Sequence, residues 1–308
     1  MASVAPGKQI AGYTVLAQIG TGAASELYAV SDPKSKQVWA LKQVHKTTDK
    51  DQRFLDQCEG EYLIGSKLEH PNIRRVIKLI KNRKMFKVTD YVLIMELVDA
   101  MSLDKRLPRN YQAAVDVFYQ AAEGLLHMHD RGYVHADIKP SNVLVSEKGD
   151  VKIIDLGQSC PIGTVKKRIQ GTPGYMAPEQ AHRRAVDAKT DIYNLGATMY
   201  WVLVREVVPS AMPPRSQRTE NGKNGSLVKT SATKIETDID APVPPHERNP
   251  RIHPMLSKLV MDCVELDPAK RPDSMKDVVD RLSLLASVLD TQPESERERS
   301  ARSSGNDD

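Results

Sequence analysis

The chain has 308 residues, 40% hydrophobic and 27% charged, with 44 Lys and Arg against 40 Asp and Glu for a formal charge of +4. This composition excludes a disordered or fibrous chain, and the length suits two packed units or one domain split into lobes. The small cationic surplus forms no long basic block, and aromatic residues at 5% give no basic stripe for stacking bases, so no nucleic-acid partner is expected.

Cys58, Cys160 and Cys263 are odd in number, far apart and without metal-ligand spacing. That argues against a disulfide framework and for a reducing, cytoplasmic setting. The start MASVAPGKQI has no charged beginning followed by an apolar core. The uncharged, apolar stretch IYNLGATMYWVLV holds 13 residues, where a bilayer crossing needs about 20. Neither secretion nor a membrane span is expected.

Residues 1–11 read as an N-terminal extension. From 12 to 44, GYTVLAQIG, SELYAV and VWALKQV alternate between Gly and SDPKSK turn signals, which predicts a strand meander. DQRFLDQCEGEYLIGSKLEH then has helical spacing, with Phe54, Cys58, Glu61 and Gly65 on one face, so a carboxylate sits on an otherwise buried stripe. RVIKLI and YVLIMELV predict two more strands. NYQAAVDVFYQAAEGLLHMHDRG reads as a long amphipathic helix with a Gly stop, and DIYNLGATMYWVLV, MLSKLVMDCVEL and SMKDVVDRLSLLASVL as three further helices. Residues 209–250, rich in Pro, Ser, Asn and Gly, read as a flexible insertion, and 291–308 as a disordered polar tail.

IGTGAAS follows a strand but is followed by another strand-like run, from Ser25 to Val30. A dinucleotide-binding glycine loop would open a helix instead. What remains is a glycine-rich hairpin, in which Gly20 and Gly22 allow backbone amides to approach phosphate oxygens. On its own it is equally a plain turn.

The motifs in order are Gly20 and Gly22, WALK ending in Lys42, the helix acid Glu61, HADIKPSN, DLG at Asp155 to Gly157, and APE at Ala177 to Glu179. In that order and spacing the chain resembles the eukaryotic-type (Hanks-type) serine/threonine protein kinase family over about residues 12 to 285. The resemblance implies an α+β, bilobal kinase fold. A small, mainly antiparallel β N-lobe with one key helix would span about 12–95, and a larger, mainly helical C-lobe about 96–290.

It also implies Mg²⁺ with ATP, with Mn²⁺ as the substitute ion, and a protein Ser or Thr hydroxyl as acceptor. Lys42 would hold the α and β phosphates and be kept in place by Glu61. Asn142 and Asp155 would ligate the metal. Asp137 would orient the attacking hydroxyl, and Lys139 would face the transferred phosphate. Ile19, Gly20, Gly22, Leu27, Ala40 and Met95 would surround the nucleotide, with hydrogen bonds from the backbone at Glu96 and Val98. Glu179 would pair with Arg271, and Asp191 would brace the loop around Asp137.

The chain departs from the family in four respects. Ser25 and Leu27 replace a glycine and a valine in the phosphate loop, which predicts a stiffer loop. Leu156 takes the middle place of DLG, a mild apolar exchange. Gly65 stands one turn after Glu61 where a bulky residue is usual, so the helix needs a regulatory partner or a shifted neighbour; the 209–250 insertion is the other expected partner site. Ala136 replaces an arginine that would meet a phosphate on the activation segment, so activity is not expected to depend strictly on phosphorylation there. Lys166, Lys167 and Arg168 read as a solvated charge run, and Cys160 as a bystander thiol. The alternative is a pseudokinase that binds ATP as a scaffold. A small-molecule kinase is disfavoured by the APE segment.

Overall fold

The computed structural model describes residues 5–22, 24–84, 87–209 and 241–291. Most of the predicted insertion, and the tail beyond residue 291, lie outside the described residues. Strands β1 (Gln9–Ile10), β2 (Tyr13–Thr21), β3 (Ser25–Ser31) and β4 (Val38–His45) precede helix α1 (Gln52–Gly65). Strands β5 (Val76–Lys84) and β6 (Lys87–Glu96) follow it. They form one antiparallel sheet in the order β1-β2-β3-β4-β6-β5. The sheet therefore starts inside the stretch read as an extension: Gln9 and Ile10 pair with Thr14 and Tyr13. Two residues are too few to show a period.

Strand alternation sorts the sheet's side chains onto two faces. Val15, Tyr28, Val30, Leu41, Val92 and Ile94 make a separate apolar cluster with Ile10. Ala40, Val44, Leu93 and Met95 face the other way and pack with Leu55 and Cys58 of α1. Lys42 lies between Ala40 and Val44 on that second face, directly across from Leu27 and Leu93. A register slip of one residue would turn it out of the cleft.

The C-lobe opens with β7 (Met101–Ser102) and α2 (Tyr111–His129), whose first turn is capped by Asn110 accepting a hydrogen bond from the Ala113 amide at 2.8 Å. Short strands β8 (Tyr133–Val134), β9 (Val143–Val145), β10 (Val151–Ile153), β11 (Cys160–Pro161) and β12 (Thr164–Val165) carry the loops of the site. Then come α3 (Pro178–Ala181), β13 (Ala185–Val186), α4 (Ala188–Val204), α5 (Pro245–Arg248), α6 (Pro254–Cys263) and α7 (Met275–Thr291). Helix α4 is buried nearly all round, as its uncharged run predicts. Gly196 lets it meet α6 closely, since a methyl there would lie 2.5 Å from Cys263 Cβ.

The end of the predicted insertion, residues 241–250, is tied down. Pro245 is buried in α5, His246 Nδ1 lies 2.7 Å from Ser257 Oγ, and the Tyr200 hydroxyl donates to Val243 O. No helix among the described residues is long and apolar enough to cross a membrane.

Candidate active site

The loop from His135 to Asn142 is held from beneath by a buried carboxylate. Asp191, in the first turn of α4, accepts hydrogen bonds from the backbone amides of His135 (2.8 Å) and Ala136 (2.7 Å), and lies 2.8 Å from His129 Nε2. Burial alone would raise its pKa, but these partners, His129 first, bring it below the ordinary carboxylate value. The Asp137 amide donates to His135 Nδ1 at 3.3 Å, so that nitrogen is the acceptor. The ring proton then sits on Nε2, which faces the Ile154 carbonyl at 3.1 Å. His135 thus joins this loop to the strand that leads into Asp155.

At the loop's centre the Asp137 carboxylate is shared. Thr172 Oγ1 donates to Oδ1 at 3.0 Å, while Lys139 Nζ lies 3.0 Å from Oδ2. Lys139 also donates to Thr172 Oγ1 at 2.8 Å. Asn142 Nδ2 donates to Asp137 O at 2.8 Å and approaches Oδ2 at 3.4 Å, so its amide oxygen is turned away from that carboxylate.

Above the loop, Lys42 Nζ is 2.7 Å from Glu61 Oε2 and 3.7 Å from Asp155 Oδ1. Burial works to lower the Lys42 pKa, but Glu61 and then Asp155 outweigh it and the net shift is upward, so the ammonium stays charged. For Asp155 the balance mirrors this: burial raises its pKa, while Lys42 foremost brings it below the usual value. Asp155 takes a left-handed backbone (φ 64°) and accepts from Gly157 N at 3.4 Å. Asn142 and Asp155 offer oxygen donors suited to a hard divalent ion. No cluster of three His, Cys, Asp or Glu that could hold a metal by itself occurs among the described residues, so the remaining ligands would have to come from phosphate oxygens and water.

Around the expected nucleotide site, Ala40 and Met95 are fully covered and paired across the strands, while Ile19 is exposed and Val98 half-buried. Gly20 pairs with Leu27, which pairs with Lys42. The Gly22 amide donates to Ser25 O at 2.7 Å, and a methyl on Gly22 would sit 2.6 Å from Ser25 Oγ. The side chain at the replaced third glycine therefore leans on the second. Glu96 points away from this face, binding Lys152 Nζ at 3.0 Å.

Gly65 has a different explanation from a missing contact. A Cβ there would lie 2.4 Å from Val76 Cγ2 and 3.1 Å from Leu156 Cδ1. Val76 of β5 fills the space beside Gly65, so a neighbour within the chain supplies packing there. Ala136 sits in a small apolar cluster with Val134, Cys160 and Val186. Lys166, read as solvated, donates to Gln158 O at 2.6 Å. The Glu179–Arg271 pair forms as expected, doubly hydrogen-bonded at 2.8 and 3.0 Å.

Three contributors were given no role at the site from the sequence. Arg74 brings a second cation within 3.6 Å of Glu61 Oε1; its only sequence signal is a pair of arginines at the head of an apolar strand. Thr172 bridges Asp137 and Lys139, and Gln180 reaches back from α3 to the loop at Ala136.

Comparison with known proteins bears on the family. The protein kinase domain family matches residues 13–281. Similar curated proteins include a probable serine/threonine-protein kinase of Clostridium acetobutylicum, 26% identical over 88% of this chain and 39% of that one. Serine/threonine-protein kinase PrkC of Bacillus subtilis is 26% identical, with 88% of this chain and 40% of that one covered. Serine/threonine-protein kinase PknB of Mycobacterium leprae is 27% identical, with 82% and 39% covered. The chain spans about two fifths of the length of these relatives.

Proposed function

Because the chain belongs to the protein kinase family, we propose that it transfers the γ-phosphate of ATP to a Ser or Thr hydroxyl of a protein, through a catalytic domain of about residues 12–290. The shared hydrogen bonding of Asp137, Lys139 and Thr172 beside Asn142 is the single observation that supports this reading best. The hydroxyl-bearing Thr172 already occupies the donor position that an acceptor hydroxyl would take against Asp137.

In this reading Lys42, held by Glu61, binds the α and β phosphates, and Ile19, Gly20, Gly22, Leu27, Ala40 and Met95 enclose the nucleotide, with Glu96 and Val98 offering backbone hydrogen bonds. Asn142 and Asp155 would hold Mg²⁺, or Mn²⁺ in its place, which would supply positive charge against the phosphates. Asp137 accepts the hydroxyl proton as the substrate oxygen forms its bond to the γ-phosphorus; the bond from that phosphorus to the β–γ bridging oxygen breaks and ADP leaves. Lys139 neutralises charge on the transferred group. A reducing, cytoplasmic setting suits three buried free cysteines.

Incubation of the protein with labelled ATP, Mg²⁺ and casein tests the reading. Label appears on casein with the parent chain and falls by about 10²–10⁴ with Asp137→Asn. ATP binding with no transfer by the parent would favour a scaffold role instead. Since Ala136 offers no charge to a phosphate, the Ser159→Ala and Thr164→Ala double variant keeps turnover within about a few fold of the parent; near-total loss would overturn that part.

A further inference from the structure

We infer that Gln180, together with Asn194, is a positioning residue that ties the activation segment to the catalytic loop through neutral hydrogen bonds and thereby orients Asp137. This deepens the kinase reading above and rests on it.

Gln180 is buried in α3, and its partners fix which end of the amide is which. The Ala177 N–H, at 3.0 Å, requires an acceptor, so it meets Oε1. The Ala136 carbonyl, at 2.8 Å, requires a donor, so it meets Nε2, whose other proton reaches toward Gln170 O at 3.5 Å. From α4, Asn194 Nδ2 donates to the same Oε1 at 2.9 Å and to Tyr175 O at 2.7 Å. Two amides therefore link the catalytic loop, the segment from Gln170 to Tyr175, the start of α3 and the body of α4. No charge is involved.

The bond to Ala136 matters most. Ala136 has φ +60°, a left-handed conformation that costs a non-glycine residue about 1–2 kcal/mol, so its neighbours must hold it there. Its amide is held by Asp191 and its carbonyl by Gln180. That carbonyl and the Asp137 N–H belong to one planar peptide unit. The unit is gripped at both ends, by Gln180 on the oxygen and His135 Nδ1 on the hydrogen. Its plane sets the direction from which the Asp137 side chain leaves the backbone. The Ala136 side chain, set against Val134, Cys160 and Val186, carries no charge to clamp a phosphate, whereas the Gln180 tether is complete without one.

The test compares Gln180→Leu, which removes both halves of the amide, with Gln180→Glu, which keeps the acceptor for Ala177 and Asn194 but faces the Ala136 carbonyl with an oxygen. A carboxylate repels that carbonyl; a protonated carboxyl can donate to it, and burial raises the pKa at which the proton is held. The kcat of Gln180→Glu relative to the parent should be lower by about tenfold or more at pH 8 and recover as pH falls toward 6. Gln180→Leu should be lower at every pH with KM for ATP unchanged. The titratable and charged groups nearby, His135, Asp137 and Lys139 on the loop, Glu179 on α3 with its partner Arg271, His182 just after α3, and Asp191 on α4, are common to parent and variants and cancel in the ratio. Amide hydrogen exchange over residues 135–137 and 170–177 should quicken in Gln180→Leu. Both variants within about twofold of the parent kcat at all pH values would overturn the proposal, whether or not exchange changes. A parent that transfers no phosphate sinks the kinase reading instead, and the exchange comparison alone then decides the tether.

Discussion

Two of the buried ion-pair clusters among the described residues are built to opposite ends. In the C-lobe, Glu179 and Arg271 close on each other: Glu179 Oε1 also accepts from Thr190, and Arg271 spends its remaining donors on the carbonyls of Lys189, Glu265 and Leu266. Arg271 is wholly covered, and its guanidinium lies over the Tyr193 ring. In the cleft, Lys42, Glu61, Arg74 and Asp155 share charge loosely. The Asp155 side chain is 47% exposed and Glu61 Oε1, though buried, receives no hydrogen bond. A satisfied buried network can only hold structure, while one with capacity to spare can take a ligand's charge.

Arg271→Ala breaks the comparison from the closed side. It strands Glu179 with Thr190 alone, and removing one partner of such a pair costs about 3–5 kcal/mol. Thermal unfolding should fall by roughly 6–20 °C, with little change in KM for ATP in the fraction that stays folded. Lys42→Met breaks it from the open side. Turnover should drop by about 10²–10³, yet the unfolding temperature should hardly move, because Arg74 remains beside Glu61. Adding Arg74→Met to Lys42→Met should lower stability by more than the two single changes combined. Simple additivity would show that Arg74 does not stand in for the lysine.

The closed cluster and the chemistry of the open one were both legible in the sequence, because short motifs fix residue types at local spacing. WALK alternates on a strand, Glu61 falls on a helical stripe, and DIKPSN folds into a single tight loop. What escaped depends on contacts between segments far apart in the chain. Nothing in the order of residues says that Val76 fills the space above Gly65, that Arg74 turns toward Glu61, or that Gln180 and Asn194 meet. The strand Gln9–Ile10 and the turn Pro245–Arg248 were missed for a plainer reason, since elements of two and four residues carry no periodicity.

Gly65→Leu sharpens the comparison by crowding the open side without touching a charge. The new side chain must displace Val76 and Leu156, and overpacking of this kind costs about 1–3 kcal/mol. Because Gly65 ends α1, the helix that carries Glu61, KM for ATP should rise along with the loss of stability. Pairing it with Val76→Ala should recover part of both. If stability recovers and KM does not, the fit of Val76 to Gly65 has no bearing on Glu61.

The smallest effect is the dependence of stability on acid. Glu179 and Asp155 both have folded pKa values below their ordinary ones, against burial in each case, Glu179 chiefly through its hydrogen bonds to Arg271 and Asp155 chiefly through Lys42. A carboxyl depressed in the folded state contributes stability that is whole above its unfolded pKa and is lost as pH falls through the folded one. The loss therefore lies in the acid range below the ordinary carboxylate values. Glu179→Gln should flatten the fall of urea-measured stability in that range, even though it lowers stability at neutral pH. Asp155→Asn should flatten it less, by under about 1 kcal/mol, since water screens a half-exposed carboxylate. Equal flattening would mean that the open cluster is as tightly held as the closed one, and the contrast between them would fail.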